Sequence, residues 1–273
     1  MKKRGDRMKE TRQTRIWEVD FLRGFSIIMM VWDHLMFDLK SVPEWFSNYA
    51  TLDRPGFEAV VEFAQRYWYG DPRAALHYVF VAFFLIVSGI SFTFSRSNLK
   101  RSLKFLAFAV LITIVTFTID HFTGLGVSVF FGIIHMFAFG TLITWALRKL
   151  WDNDVFMLVV GSAIVVFGVL YAWKSVPVYG TVTWANAIPI MLGTAAFGAD
   201  HFGILPYTGV IMIGTVIGNQ FYKSRQSLLP KLDGAWNRPF VYAGRHTLLI
   251  FVTHQIILSG LVFLAGYLAG YHI

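Results

Sequence analysis

Residues 16–39, IWEVDFLRGFSIIMMVWDHLMFDL, form an apolar run long enough to cross a bilayer as one helix, yet it carries Asp20, Arg23, Asp33, His34 and Asp38. Charged groups are costly in hydrocarbon and persist where they face a bundle interior, a cavity or a ligand, so the run asks for a function as well as a fold. Arg23 and His34 are eleven residues apart, which at about 100° per residue leaves them within roughly 20° of each other around the helix and ~16 Å apart along it. Asp20 lies three residues before Arg23 and Asp38 four after His34. The same stripe therefore offers a carboxylate to each cation.

Composition sets the frame around that helix. The 273 residues are 56% hydrophobic and 17% aromatic with only 15% charged, too apolar for an ordinary soluble domain and too short for several membrane domains. The expected organisation is a basic cytoplasmic segment over residues 1–15 and a single transmembrane domain over residues 16–273. There is no cysteine, which excludes disulfides and thiolate metal sites. The net charge of +8 would suit nucleic acid, but the lysines and arginines fall between the apolar runs, where topology explains them. No nucleic-acid partner is expected. No metal is expected either, since HExxH, a Walker A loop and a Rossmann glycine pattern are all missing.

The segment MKKRGDRMKETRQTR, with seven Lys/Arg against two acidic residues, reads as retained and cytoplasmic rather than as a signal peptide, because the run after it is long, charged and without a small-residue cleavage site. Residues 40–73 read as an outer loop, in which PGFEAVVEFAQRYW can form a short interfacial helix. Further spans are expected over residues 74–95, 105–120, 127–147, 155–173, 204–222 and 240–267. Residues 184–199, interrupted by Pro189, read as a re-entrant or interfacial piece. The result is an all-α polytopic membrane bundle of about seven transmembrane helices, N-terminus inside. This orientation puts most Lys/Arg in the cytoplasm and leaves Lys40, Arg54, Arg66, Arg73 and Lys174 outside.

Several side chains can carry chemistry. An anionic cytoplasmic ligand held at Arg23 reaches His34 with an extended arm. Histidine suits acid–base or nucleophilic work, tuned by a carboxylate such as Asp38 or Asp33. His135 in FGIIHMFAFG either faces the same cavity or bonds across helices. His77 opens the second span and reads first as an interfacial side chain. Arg245 and His254 in GRHTLLIFVTHQ bring a second cation and a second histidine. Arg96, Lys100 and Arg101 either bind phosphates at a cytoplasmic entrance or simply obey the charge rule for inner loops. The GxxxG spacings at Gly214/Gly218 and Gly266/Gly270 read as packing within the bundle, with homodimerisation the alternative.

Five blocks in order, IWEVDFLRGFSIIMMVWDH, FFLIVSGISFTFSRS, FGIIHMFAFG, DHFGILPYTGVIMIG and AGRHTLLIFVTHQ, resemble the heparan-α-glucosaminide N-acetyltransferase catalytic-domain family of small bacterial and archaeal membrane proteins. The arginine–ten residues–histidine spacing of Arg23 and His34 is similar to that of the wider transmembrane acyltransferase superfamily. The resemblance implies transfer of an acyl group, taken as acetyl, from cytoplasmic acetyl-CoA or another acyl-CoA. The implied acceptor is a hydroxyl or amine of a sugar, glycan or lipid-linked glycan at the outer side of a prokaryotic plasma membrane.

On that resemblance Arg23, with Arg245 and Arg96, is expected to hold the donor's phosphates, His34 with Asp38 to carry the chemistry, and His254 and His135 to line the cavity. Lysosomal members differ: asparagine tends to stand where His34 is, and their reactive histidine lies in the outer loop. No histidine occurs between Leu35 and Leu76 here, so His34 takes the catalytic assignment. The rival class is a transporter or channel for a small solute or lipid, suggested by the proline-broken residues 184–199.

Overall fold

The computed structural model describes residues 16–124, 126–172, 175–198 and 200–273. The basic segment 1–15 and Lys174, both used above to orient the chain, lie outside them. The described residues are helical almost throughout, with ten α-helices and one two-stranded parallel pair. By internal contacts they form two compact units, one made of the residues up to Phe84 with Gln226–Ile273, the other of Leu85–Arg225.

The first unit is built on α1 (Trp17–Trp45). Its 29 residues rise about 43 Å, more than the ~30 Å of hydrocarbon. Glu18 and Asp20 in the first turn suit the positive end of the helix dipole, and the helix ends two residues after its internal Pro43, with Phe46 extended. The short helix expected over PGFEAVVEFAQRYW forms as α2 (Pro55–Trp68), with proline at its first position where no N–H is needed. α3 (Asp71–Phe94) begins in this unit and ends in the other.

The last expected span, 240–267, is two helices, α9 (Arg238–Arg245) and α10 (Thr247–Leu268), meeting at His246. Gly244 stands two residues before that junction, but a lone glycine in an apolar run does not mark a break. α9 is instead fixed by contact, since Gly24 and Gly244 let its backbone touch that of α1. α10 runs beside α1, and Val42, Phe46, Val61, Val262 and Tyr271 close a core between α1, α2 and the end of the chain. The final residues are strapped down, with Ser47 N–H donating to the His272 carbonyl at 2.9 Å and Arg54 Nε to that of Ala269 at 2.6 Å.

The second unit holds the end of α3, α4 (Asn98–Thr123), α5 (Ile133–Leu150), α6 (Asp154–Tyr171), the nine-residue α7 (Trp184–Leu192) and α8 (Tyr207–Phe221). Ser97 caps α4 by accepting from Lys100 N–H. Lys100, Arg101 and Lys104 thus ride on its first turns rather than in the loop expected for them, and Arg101 bonds Ser88 at 3.1 Å. α5 starts later than expected because Asp120 and Thr116 draw residues 126–129 into an extended turn. Arg148, nearly buried, ties α5 to α6 and α8 through Asp154 at 2.7 Å and Thr215 at 2.9 Å.

α7 is too short to cross, about 13 Å long. After it Ala195–Ala196 pairs in parallel with Val176–Pro177. Gly214, Gly218 and Gly266 pack internally, whereas Gly270 lies beyond the end of α10 with φ +97°. A Cβ on Gly214 would meet the Ile86 carbonyl at 2.4 Å, one on Gly218 the side chain of Thr93 at 2.8 Å, and one on Gly266 the ring of Phe46 at 2.5 Å.

Among the described residues five helices, α3, α4, α5, α6 and α10, are long and apolar enough to span a membrane. α1 is longer than any of them but too rich in ionisable residues to share that class, and α8, at fifteen residues, reaches only ~22 Å. The chain is an all-α polytopic helical bundle.

Candidate active site

The basic end of the α1 stripe folds as the residue spacing predicts. Arg23 Nη1 donates to Asp20 Oδ1 at 2.8 Å. Arg245, brought in by α9, donates through Nε to the other oxygen of the same carboxylate at 3.4 Å. Arg23 also reaches the Gly244 carbonyl at 3.4 Å. One carboxylate therefore orients two guanidinium groups, leaving the cluster a net positive charge suited to phosphate. Asp20 is 12% exposed and Arg245 43%, so the carboxylate is shielded while the cation stays accessible.

About 16 Å along the helix, the imidazole of His34 meets that of His254 edge to face, with centroids 4.8 Å apart and planes at 90°. Each ring is oriented by its own helix. His34 Nδ1 lies 2.9 Å from the Met30 carbonyl, and His254 Nδ1 lies 2.8 Å from that of Phe251 and 3.2 Å from that of Ile250. A carbonyl can only accept, so both Nδ1 atoms carry a proton, and in the neutral rings the Nε2 atoms present the lone pairs. His254 Nε2 is buried and has no partner among the described residues.

Asp38, expected to orient His34, accepts its hydrogen bond from elsewhere, since Gln255 Nε2 donates to its Oδ1 at 2.8 Å. Its Oδ2 and Gln255 Oε1 are buried without partners among the described residues. Three buried polar atoms without partners among the described residues thus lie on adjacent turns of α1 and α10. Gln255 has no signal in the sequence, because an amide in an apolar helix reads as packing until the helix opposite it is known.

Asp33, the other carboxylate offered to His34 by sequence, is spent. Asp33 accepts from Arg73 Nε at 2.9 Å and from Arg73 Nη2, and Tyr67 Oη donates to it at 3.2 Å. His77 Nδ1 lies 3.3 Å from it. Arg73 in turn covers the Trp68 ring at 3.8 Å. Burial and the neighbouring Asp33 charge hold the Tyr67 phenol above its ordinary pKa, so it remains a donor. This group staples α2 and the start of α3 to α1.

Arg96 and His135 belong to the second unit. Arg96 is exposed between α3 and α4. His135 has both nitrogens engaged locally. Gly132 N–H donates to Nδ1 at 3.3 Å, and Nε2 lies 3.0 Å from the hydroxyl of Thr113, which itself donates to the Val129 carbonyl. That arrangement caps α5 against α4 and offers no free nitrogen to a ligand.

No curated protein and no solved structure shows a significant match to the chain. The family model described as "Heparan-alpha-glucosaminide N-acetyltransferase, catalytic" matches residues 15–53 and 58–256, a span that takes in Asp20, Arg23, His34, Asp38, Arg245, His254 and Gln255. The chain thus belongs to the heparan-alpha-glucosaminide N-acetyltransferase catalytic family, a family of membrane acetyltransferases.

Proposed function

We propose that the protein transfers an acetyl group from cytoplasmic acetyl-CoA to a hydroxyl or amine of a sugar, glycan or lipid-linked glycan at the outer side of the membrane, with the N-terminus of α1 inside. The observation that carries this reading is the pair His34–His254, whose two Nε2 lone pairs lie at one place on α1 and α10, beyond the Asp20–Arg23–Arg245 cluster. Arg23 and Arg245 hold the donor's phosphates, and the pantetheine arm follows α1 to bring the thioester to His34.

In the chemical step His34 Nε2 takes the proton from the acceptor's O–H or N–H. The oxygen or nitrogen bonds to the thioester carbon, the C–S bond breaks, and the sulfur leaves as thiolate and recovers the proton from His34. The negative charge of Asp38, one turn along and held by Gln255, favours the imidazolium that His34 becomes. His254 fixes the His34 ring edge to face and completes the lining of the site. Two helix-borne rings, each bonded to its own backbone, give the base a defined direction before the substrates arrive.

The test is release of CoA thiol by the purified protein in detergent on addition of acetyl-CoA with candidate glycan acceptors. Acceptor-dependent release with a stoichiometric acetylated product is expected. A folded protein that neither binds acetyl-CoA nor releases thiol, but carries a solute across proteoliposomes, would be a transporter.

A further inference from the structure

On the first unit, α9 carries Arg238, Tyr242 and Arg245 at successive helical turns, a single stripe about 10 Å long. Together with Trp17, Asp233 and Asn237 they line a cleft of ≈ 580 Å³, within the ~300–1,000 Å³ of small-molecule sites. Trp17 and Asn237 are buried, whereas Arg238 and Tyr242 are exposed. Asp233 accepts from Asn237 Nδ2 at 3.1 Å, and Tyr242 rests at 4.3 Å on the His246 ring. The cleft thus combines two guanidinium groups with aromatic surface between them.

We infer that this cleft seats the phosphorylated adenosine end of the donor, with Arg238 and Arg245 on its phosphates and Tyr242 against its ring. The inference rests on the donor reading above and adds Arg238 and Tyr242 to it. Arg245 belongs to the cleft and to the Asp20–Arg23 cluster at once. A nucleotide seated here therefore delivers the rest of the molecule to Arg23, where α1 leads on to His34. The headgroup phosphate of an anionic lipid shares the phosphate chemistry. It has no ring for Tyr242 to stack on, and aromatic stacking is what this cleft offers beyond charge.

The discriminating experiment compares acetyl-CoA with S-acetylpantetheine, which has the same thioester and arm but no nucleotide, as donors for the full-length protein. Arg238→Gln and Tyr242→Ala should each lower the ratio of kcat/KM between the two donors by about tenfold, the usual scale for losing one charge-assisted bond or one stacked ring. Tyr242→Phe should keep it. Adenosine 3′,5′-bisphosphate should compete with acetyl-CoA on the parent and weaken about tenfold on Arg238→Gln.

A donor ratio left unchanged by Arg238→Gln and Tyr242→Ala, while the parent turns over acetyl-CoA, overturns the assignment alone. If Arg238→Gln then also loses retained phosphatidylglycerol, the cleft is a lipid-headgroup seat. A folded parent that neither binds nor consumes acetyl-CoA removes the donor reading and the cleft assignment together.

Discussion

Gly24 of α1 and Gly244 of α9 meet backbone to backbone. A Cβ on Gly24 would lie 1.8 Å from the Phe240 carbonyl oxygen, and one on Gly244 would lie 1.8 Å from that of Asp20. The contact is reciprocal, and it places Arg245 beside the Asp20–Arg23 pair. Since the blocking atoms are main chain, no rotamer change relieves them. Gly24→Ala and Gly244→Ala should each destabilise the protein by roughly 1–3 kcal/mol, seen as a lower Tm in detergent. Both should weaken acetyl-CoA binding more than Gly260→Ala, where a Cβ meets nothing within 4 Å.

The staple at Asp33 should govern stability rather than chemistry. Asp33→Ala leaves the Arg73 guanidinium, only 18% exposed, without its carboxylate, which costs on the order of 1–3 kcal/mol. The expected signature is faster proteolysis around α2. The affinity for acetyl-CoA should stay near that of the parent.

His135 should behave as a cap. His135→Phe removes the acceptor of Gly132 N–H and the partner of Thr113, a loss of roughly 1–2 kcal/mol. It should lower Tm and leave KM for acetyl-CoA unchanged. A raised KM at unchanged Tm would return His135 to the cavity for which the sequence made it a candidate.

Asp38 and Gln255 should be coupled. Gln255→Leu leaves both Asp38 oxygens buried without a donor, costing roughly 1–3 kcal/mol. Replacing both residues by leucine should cost less than the two single losses added together, a non-additivity that a double-mutant cycle on Tm-derived stabilities measures.

Much of the fold was legible because apolar length is a local property. α2 begins and ends where its sequence block does, and α6 falls within about two residues of its expected span. The break at His246 was not legible, because it depends on the glycine of a helix more than two hundred residues away in sequence. The Asp20–Arg23 pair could be read from i, i+3 spacing, and Arg245 and His254 from being ionisable inside an apolar run.

Partner choice was less visible. The carboxylate nearest His34 in sequence, Asp33, pairs with Arg73, while Asp38 pairs with Gln255. Both partners sit on other helices, so periodicity along α1 carries no trace of them. His135 looked like the other membrane histidines, and only the turn at Gly132 together with Thr113 of α4 reveals that both its nitrogens are engaged.

The most direct test of the account is to measure acetyl-CoA affinity and acetyl transfer side by side in the parent, Arg23→Gln and His34→Gln. Arg23→Gln should weaken donor binding about tenfold or more, the scale of a charge-assisted phosphate contact. His34→Gln should bind donor as the parent does while transfer falls by ~10²–10⁴, the range for losing a general base. A His34→Gln protein that still transfers acetyl groups at the parent rate would contradict the central claim.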